Sequence, residues 1–419
     1  MFVIDRVLIY KSPATELPGD FAGGAIKIYT KNVVNQNASS FSFSSSYRGG
    51  TTLKDFYTYE GGKTDLLGFD DGTRKLLTGF PSTRAFQNFS NSQKVDYGKQ
   101  LPNIWQLNTI AAAPDVRLNL GINRQIRIGE KRLTSITALS YTNSRQNLFI
   151  DRSNYSRYTP GSTKEINWQY RDQVSSQGVR IGILQNFALS LNPKNKLEFR
   201  NLFNQIAINE ATVREGWQRD NSDEEERNYY LRYETRSIYT GQLQGTHTSA
   251  NNKNIITWTG GYNYIGRQEP DLRRVRTTRT IGSDGAPYET IIPTASNSVY
   301  NAGRYYSDLS ETGFVANGQL EHIFGKLDSA NTETNLHLKT GFYAERKDRA
   351  FDSRYFGYIF PYGSTANSGY IRTLPLDKTF SPENLDATNE MILDELTSPN
   401  DRYSASNTLV AVMYRWRKQ

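Results

Sequence analysis

Cysteine is absent from the 419 residues, and this excludes a disulfide framework, a thiolate nucleophile and a Cys-ligated zinc site. Histidine is scarce: His247, His322 and His337 lie far apart with no carboxylate at ligand spacing, a pattern of structural or water-facing residues rather than a metal centre. No uninterrupted apolar stretch approaches the ~20 residues of a membrane-spanning helix, so a helical membrane protein is excluded. The opening MFVIDRVLIYK also fails as a signal peptide, because Asp5 and Arg6 break its apolar run. Basic residues exceed acidic ones, 50 to 42, but are spread along the chain without the Lys/Arg block that a nucleic-acid partner would need. No Ser-His-Asp set or poised carboxylate pair can be placed, so nothing points to an enzyme. No cofactor is implied either, because Gly19 and Gly24 have phosphate-loop spacing but Ala25 stands where the essential Lys belongs.

What the chain does have is aromatic residues, 27 Tyr and 20 Phe, within a polar composition of mean hydropathy −0.65. That combination suits sheets with one wet face. Near Phe41 the sequence begins to alternate: Phe41, Phe43 and Tyr47 share one parity and Ser40, Ser42, Ser44 and Ser46 the other. The same period of two recurs in Val116, Leu118, Leu120 and Ile122 against Arg117 and Asn119. It recurs again in Leu231, Tyr233 and Tyr239 against Arg232, Glu234 and Arg236. Ten strands are expected, at 39–48, 115–128, 131–143, 178–191, 195–208, 228–248, 253–266, 308–324, 334–348 and 405–417.

Long connections (49–114, 144–177, 267–307, 349–404, with a medium one at 209–227) alternate with short ones. That asymmetry predicts an all-β, antiparallel, up-and-down transmembrane β-barrel whose two ends face different environments. Aromatic pairs such as Tyr262 and Tyr264, Tyr229 and Tyr230, or Tyr414 and Trp416 are expected at a lipid–water interface. Arg232, Glu234 and Arg236 are expected to face a water-filled lumen. Trp105, Trp168, Tyr170, Tyr305 and Tyr306 fall in the expected long loops and are candidate stacking surfaces for a ligand. Asp223-Glu-Glu-Glu-Arg227 reads as a solvated loop tip and Asp70-Asp71-Gly72 as a turn.

At the N-terminus, Pro18, Gly19 and Asp20 form an expected turn, Gly23 and Gly24 permit a close backbone approach, and Ala25–Thr30 is expected to return beside Val3–Tyr10. The stretch Val7-Leu-Ile-Tyr-Lys-Ser-Pro-Ala14, with Leu17-Pro-Gly-Asp-Phe-Ala-Gly-Gly-Ala-Ile-Lys-Ile-Tyr-Thr-Lys31, resembles the end of the plug domain of TonB-dependent outer-membrane receptors. Ser12 and Lys27 depart from that family's usual Gly and Asn, while Gly23, Gly24, Thr30 and Lys31 match its closing strand. Leu66–Arg74 and Tyr305–Glu311 are similar to stretches of one large-barrel subgroup.

The resemblance implies two parts: the end of a plug over residues 1–32, and the N-terminal portion of an outer-membrane barrel over 33–419, with about ten of an expected 22 strands. The chain is therefore expected to be an internal piece of a longer receptor in the cell outer membrane. The resemblance further implies energised uptake of a scarce nutrient, such as an iron chelate, cobalamin or an oligosaccharide. The implied partners are the lipid bilayer, a TonB-type energising complex acting through the preceding segment, a surface lipoprotein, and the nutrient itself. A non-transporting adhesion or glycan-binding barrel, or a soluble all-β binding protein or propeller, would share the periodicity.

Overall fold

Alternating apolar and polar residues commit most of the chain to antiparallel strands in a computed structural model. It describes residues 4–12, 23–31, 36–156, 165–219, 223–294, 296–324, 336–363, 368–388 and 390–418. Strands β1 (Ile4–Tyr10) and β2 (Ala25–Thr30) form an antiparallel hairpin, pairing Val7 with Ile28 and Tyr10 with Ala25, as the sequence leads one to expect. Pro18, Gly19 and Asp20 lie outside the described residues.

The main sheet begins with β3 (Ala38–Ser46); β4 (Asp55–Thr58) and β5 (Asn108–Ala111) form a small separate pair. It continues through β6 (Asp115–Ile128), β7 (Lys131–Tyr155), β8 (Ile166–Asn192), β9 (Asn195–Gln218), β10 (Glu224–Thr248) and β11 (Asn254–Val275). Short β12 (Thr277–Thr280) and β13 (Glu289–Thr290) precede β14 (Ala302–Phe324) and β15 (Leu336–Ile359), followed by β16 (Ile392–Glu395) and β17 (Arg402–Lys418). Each of the ten long strands β3, β6–β11, β14, β15 and β17 pairs antiparallel with the next, giving an uninterrupted up-and-down meander.

The expected strand starts at the short-turn end hold closely, and the turns there are tight. Gly129 joins β6 to β7 at φ +61, a conformation that costs glycine little. The long-connection ends differ from expectation. Strand β7 runs to Tyr155 and β8 starts at Ile166, so the expected 144–177 loop is mostly strand; β14 starts at Ala302 and β15 runs to Ile359. Trp168, Tyr170, Tyr305 and Tyr306 therefore stand on strands rather than in loops, and so do Glu224–Arg227. The 27 residues of β8 reach roughly 90 Å at ~3.3 Å per residue, whereas 9–11 tilted residues suffice to cross a bilayer.

Register carries each side chain's face across the sheet. One row joins Phe41, Leu120, Leu139, Ile183, Phe203, Tyr239 and Tyr264 across seven strands; on the same face Tyr262 pairs with Phe314, and nearer the short turns Trp258, Gly318, Phe342 and Val412 form a parallel row. Many of these are exposed, Val412 at 79%, Phe41 at 70% and Phe314 at 60%. On the opposite face the row reads Ser42, Asn119, Ser140, Gly182 and Asn204. The exposed apolar band lies in the half of the sheet nearer the short turns, where Tyr414 and Trp416 are also exposed.

Toward the other end the same apolar face is covered. Helices α1 (Thr83–Gln87) and α2 (Asn91–Lys99), capped by the Ser82 and Ser90 hydroxyls, pack with α3 (Ser368–Thr373), α4 (Leu376–Thr379) and β16 into one core. Phe86, Trp105, Phe356, Tyr358, Ile371 and Leu393 are sealed there, each worth roughly 2–3 kcal/mol of burial. The described parts of the connections 47–114 and 360–401 thus form a single packed cap, pinned by Lys94 to Asp394 at 2.7 Å and Arg354 to Glu395 at 2.6 Å. Among the described residues no helix is long and apolar enough to cross a membrane.

Candidate functional site

The polar face is the one that meets the N-terminal hairpin. The Asn186 amide on β8 donates to the Thr30 hydroxyl at 2.9 Å, in the half of the sheet nearer the short turns. Gly23 stands at φ +90 and Gly24 beside the Tyr10 carbonyl, consistent with the close approach read from sequence; Lys31 follows β2.

Farther along, the same face gathers charge. Arg232, Glu234 and Arg236 alternate with apolar Leu231 and Tyr233 on β10, as the sequence implied. Buried Glu234 accepts from Arg236 at 2.6 Å and Arg267 at 2.9 Å and is also bonded by Arg232. Glu269 accepts from Arg232 at 2.6 Å and Arg267 at 3.0 Å. Three guanidiniums and two carboxylates thus form a closed ladder, which offsets the desolvation of its buried acids.

Nearer the long-connection end the polar face opens into a cavity of about 700 Å³. Its wall is set by register: Tyr170 lies opposite Gly216, Asp172 opposite Arg214, Arg214 opposite Asn228, and Tyr230 opposite Arg274. The Trp168 and Tyr170 rings, 5.1 Å apart, form an aromatic shelf. Gly216 makes room for it, because a Cβ there would stand 2.7 Å from the Tyr170 ring and collide with the Gln169 carbonyl. Asp172 bridges Arg152 at 2.9 Å and Arg214 at 2.7 Å, and Glu226 accepts from Arg276 at 2.6 Å. Arg274 reaches into the same space with its guanidinium 5.2 Å from the Tyr230 ring and 5.4 Å from Tyr300.

Of the five aromatic candidates, Trp168 and Tyr170 line this cavity. Tyr305 stands on the same face, its ring tilted at 37° to that of Tyr355 with centroids 4.6 Å apart. The expectation fails for Trp105 and Tyr306, which are 1% and 7% exposed inside the cap core on the other face. Trp105 sits beneath the Arg273 and Arg304 guanidiniums, which are locked by the fully buried Asp271. Sequence reading missed Arg274 because it placed 267–307 in a loop; the strand in fact runs on to Val275, with a bulge at Pro270–Asp271 that shifts the register between Glu269 and Leu272. Arg273 thereby turns to the capped face and Arg274 to the cavity. Tyr229 and Tyr230 stand at this end of β10, lining the cavity, far from the exposed apolar band.

In the cap, Asp70-Asp71-Gly72 makes the expected turn: Thr73 and the Lys63 amide donate to the Asp71 carboxylate and hold its pKa down to about 2. Arg74 lies 4.2 Å over the Tyr233 ring and donates to Asp65 at 2.9 Å, while burial pushes the nearby Tyr59 hydroxyl well above its usual range. The histidines stay apart: His247 bonds Asn195, His322 bonds Asn254 and His337 bonds Glu321. No family model, curated protein or solved structure matches the chain, so the polar-face cavity and the two-sided sheet are the features from which a function is argued.

Proposed function

We propose that the chain carries the closing hairpin of a plug and the first ten strands of a TonB-dependent outer-membrane receptor, and that the complete receptor takes up a nutrient first held in the polar-face cavity. The observation that carries this reading is the sidedness of the sheet. A row of large apolar side chains crosses seven strands, from Phe41 to Tyr264, and lies in the half nearer the short turns. The face behind it carries Ser42, Asn119, Ser140 and Asn204 before it reaches Ile238 and Ile265, and it bonds the N-terminal hairpin. An apolar surface of this extent is costly in water and is the surface a bilayer would cover. The polar face then lines water, the charged ladder of β10 and β11 hydrates it, and the Asn186–Thr30 bond is one of the contacts an energising pull would have to break.

The absence of cysteine gives a clean test. Single cysteines at Phe342 and Val412 in native envelopes should resist a water-soluble maleimide, while one at Asn317 or Asn204 should react. Equal labelling of both sets, or recovery of the protein in the soluble fraction, would refute the reading.

A further inference from the structure

We propose that the cavity selects ring-bearing organic anions and that Arg274 is the residue that receives their charge. The inference deepens the uptake reading and rests on it for the cavity's role as the ligand's first station. The charge accounting carries it. Four arginines line the cavity, and three are already neutralised: Arg152 and Arg214 share Asp172, and Arg276 is held by Glu226. Glu210, the remaining acid of the wall, lies opposite Arg232 across the β9–β10 ladder, but Arg232 is committed to Glu234 and Glu269, so the wall as a whole sets four guanidiniums against three carboxylates. Arg274 alone among them forms no ion pair with any described residue; its neighbours are the Tyr230 and Tyr300 rings. Those rings fix the guanidinium plane without satisfying its donors, which leaves a forked site shaped for a carboxylate or sulfate.

The remaining wall defines the rest of the ligand. The Trp168–Tyr170 shelf offers flat apolar contact for the C–H face of a sugar or for an aryl ring. A space of about 700 Å³ holds a ligand of two or three rings rather than a polymer segment or a lone ion. A neutral ligand would meet Arg274 only through uncharged acceptors, without the charge assistance a carboxylate supplies, and a cation would face four guanidiniums against three carboxylates. Two sources share this chemistry, acidic sugars and aryl carboxylates.

The test uses the receptor purified from native envelopes, with calorimetry against three probes: a galacturonate trimer, a neutral galactose trimer and benzoate. At least one acid should bind at least tenfold more tightly than the neutral trimer, and which acid does so identifies the source. Arg274→Gln should weaken that acid roughly ten- to a hundredfold, the factor expected for a lost charge-assisted bond. Arg274→Lys should recover part of the loss, because it restores charge without the fork. Arg346→Gln, outside the cavity, should change nothing, and heat-modifiable gel mobility checks that each variant is folded. Neither acid binding more tightly than the neutral trimer, binding of none of the probes, or an Arg274→Gln effect below twofold would overturn the inference. The uptake reading fails separately: a protein recovered as soluble that still binds acids through Arg274 refutes transport and leaves the inference standing.

Discussion

If the exposed apolar band faces lipid, Val412→Arg should be among the most damaging substitutions on the surface of the protein. Val412 is 79% exposed and pairs with Phe342, six residues into β15 from Leu336 at the short-turn end. Six residues rise about 20 Å along a strand, and at a tilt near 40° that is about 15 Å of height, half of a ~30 Å hydrocarbon core. Arginine at that depth costs roughly 2–4 kcal/mol on the outside of a barrel. In water the same change on so exposed a side chain should stay within about 0.5 kcal/mol of neutral. Asn317, adjacent to Gly318 in the same transverse row but on the polar face, is the matched control, and Asn317→Arg should be nearly silent. Urea titration of the receptor folded into lipid vesicles reads both. A Val412→Arg penalty no larger than that of Asn317→Arg would mean that the apolar face meets protein or water, and the depth argument would fall.

Other outcomes follow from the cap and the cavity. Asp271→Asn leaves Arg273 and Arg304 buried without their counter-ion, and should cost roughly 3–5 kcal/mol in denaturant unfolding of the capped end; asparagine tolerates the backbone at φ +56, so the loss reports charge. Asp71 titrates lower folded than unfolded, so its contribution is full above its ordinary range and disappears as pH falls through about 2. Amide exchange at Lys63 and Thr73 should therefore stay slow at pH 4 and rise only near pH 2, and Asp71→Asn should abolish that step. Gly216→Val drives a side chain into the Tyr170 ring, an overpacking of about 1–3 kcal/mol, and should weaken ligand binding while heat-modifiable mobility is retained; unchanged affinity would show that the shelf does not touch the ligand.

The ten strands were legible because, in the half of the sheet nearer the short turns, one face must be apolar and the other polar, and Phe41 to Tyr47 or Val116 to Ile128 write that requirement as alternation. The far ends of the strands were not legible for the same physical reason. Around Arg171, Asp172, Gln173, Ser175 and Ser176 both faces meet water or the polar cap, and periodicity in hydrophobicity disappears while the backbone ladder continues. Trp168 and Tyr170 could be picked as aromatics but not placed on a strand. Trp105 and Tyr306 look like any other loop aromatic until the packing of the cap seals them. Arg274 was hidden twice: it fell in the expected 267–307 loop, and on the strand that replaces it, parity without the bulge at Asp271 would put Arg273 beside Arg267 and Glu269 and turn Arg274 away.

The length of the strands sets where a captured ligand waits. From Ile183 in the apolar row to Tyr170 at the cavity is thirteen residues, about 43 Å along β8 and, at a tilt near 40°, about 33 Å in height. In the proposed barrel a molecule on the shelf would sit about 3 nm above that apolar row, at a height where salt screens charge beyond ~8 Å and the Thr30 contact is far out of reach. News of its arrival can travel only as a displacement of stiff, fully laddered strands, or the ligand itself must descend the water-lined wall before anything below can respond.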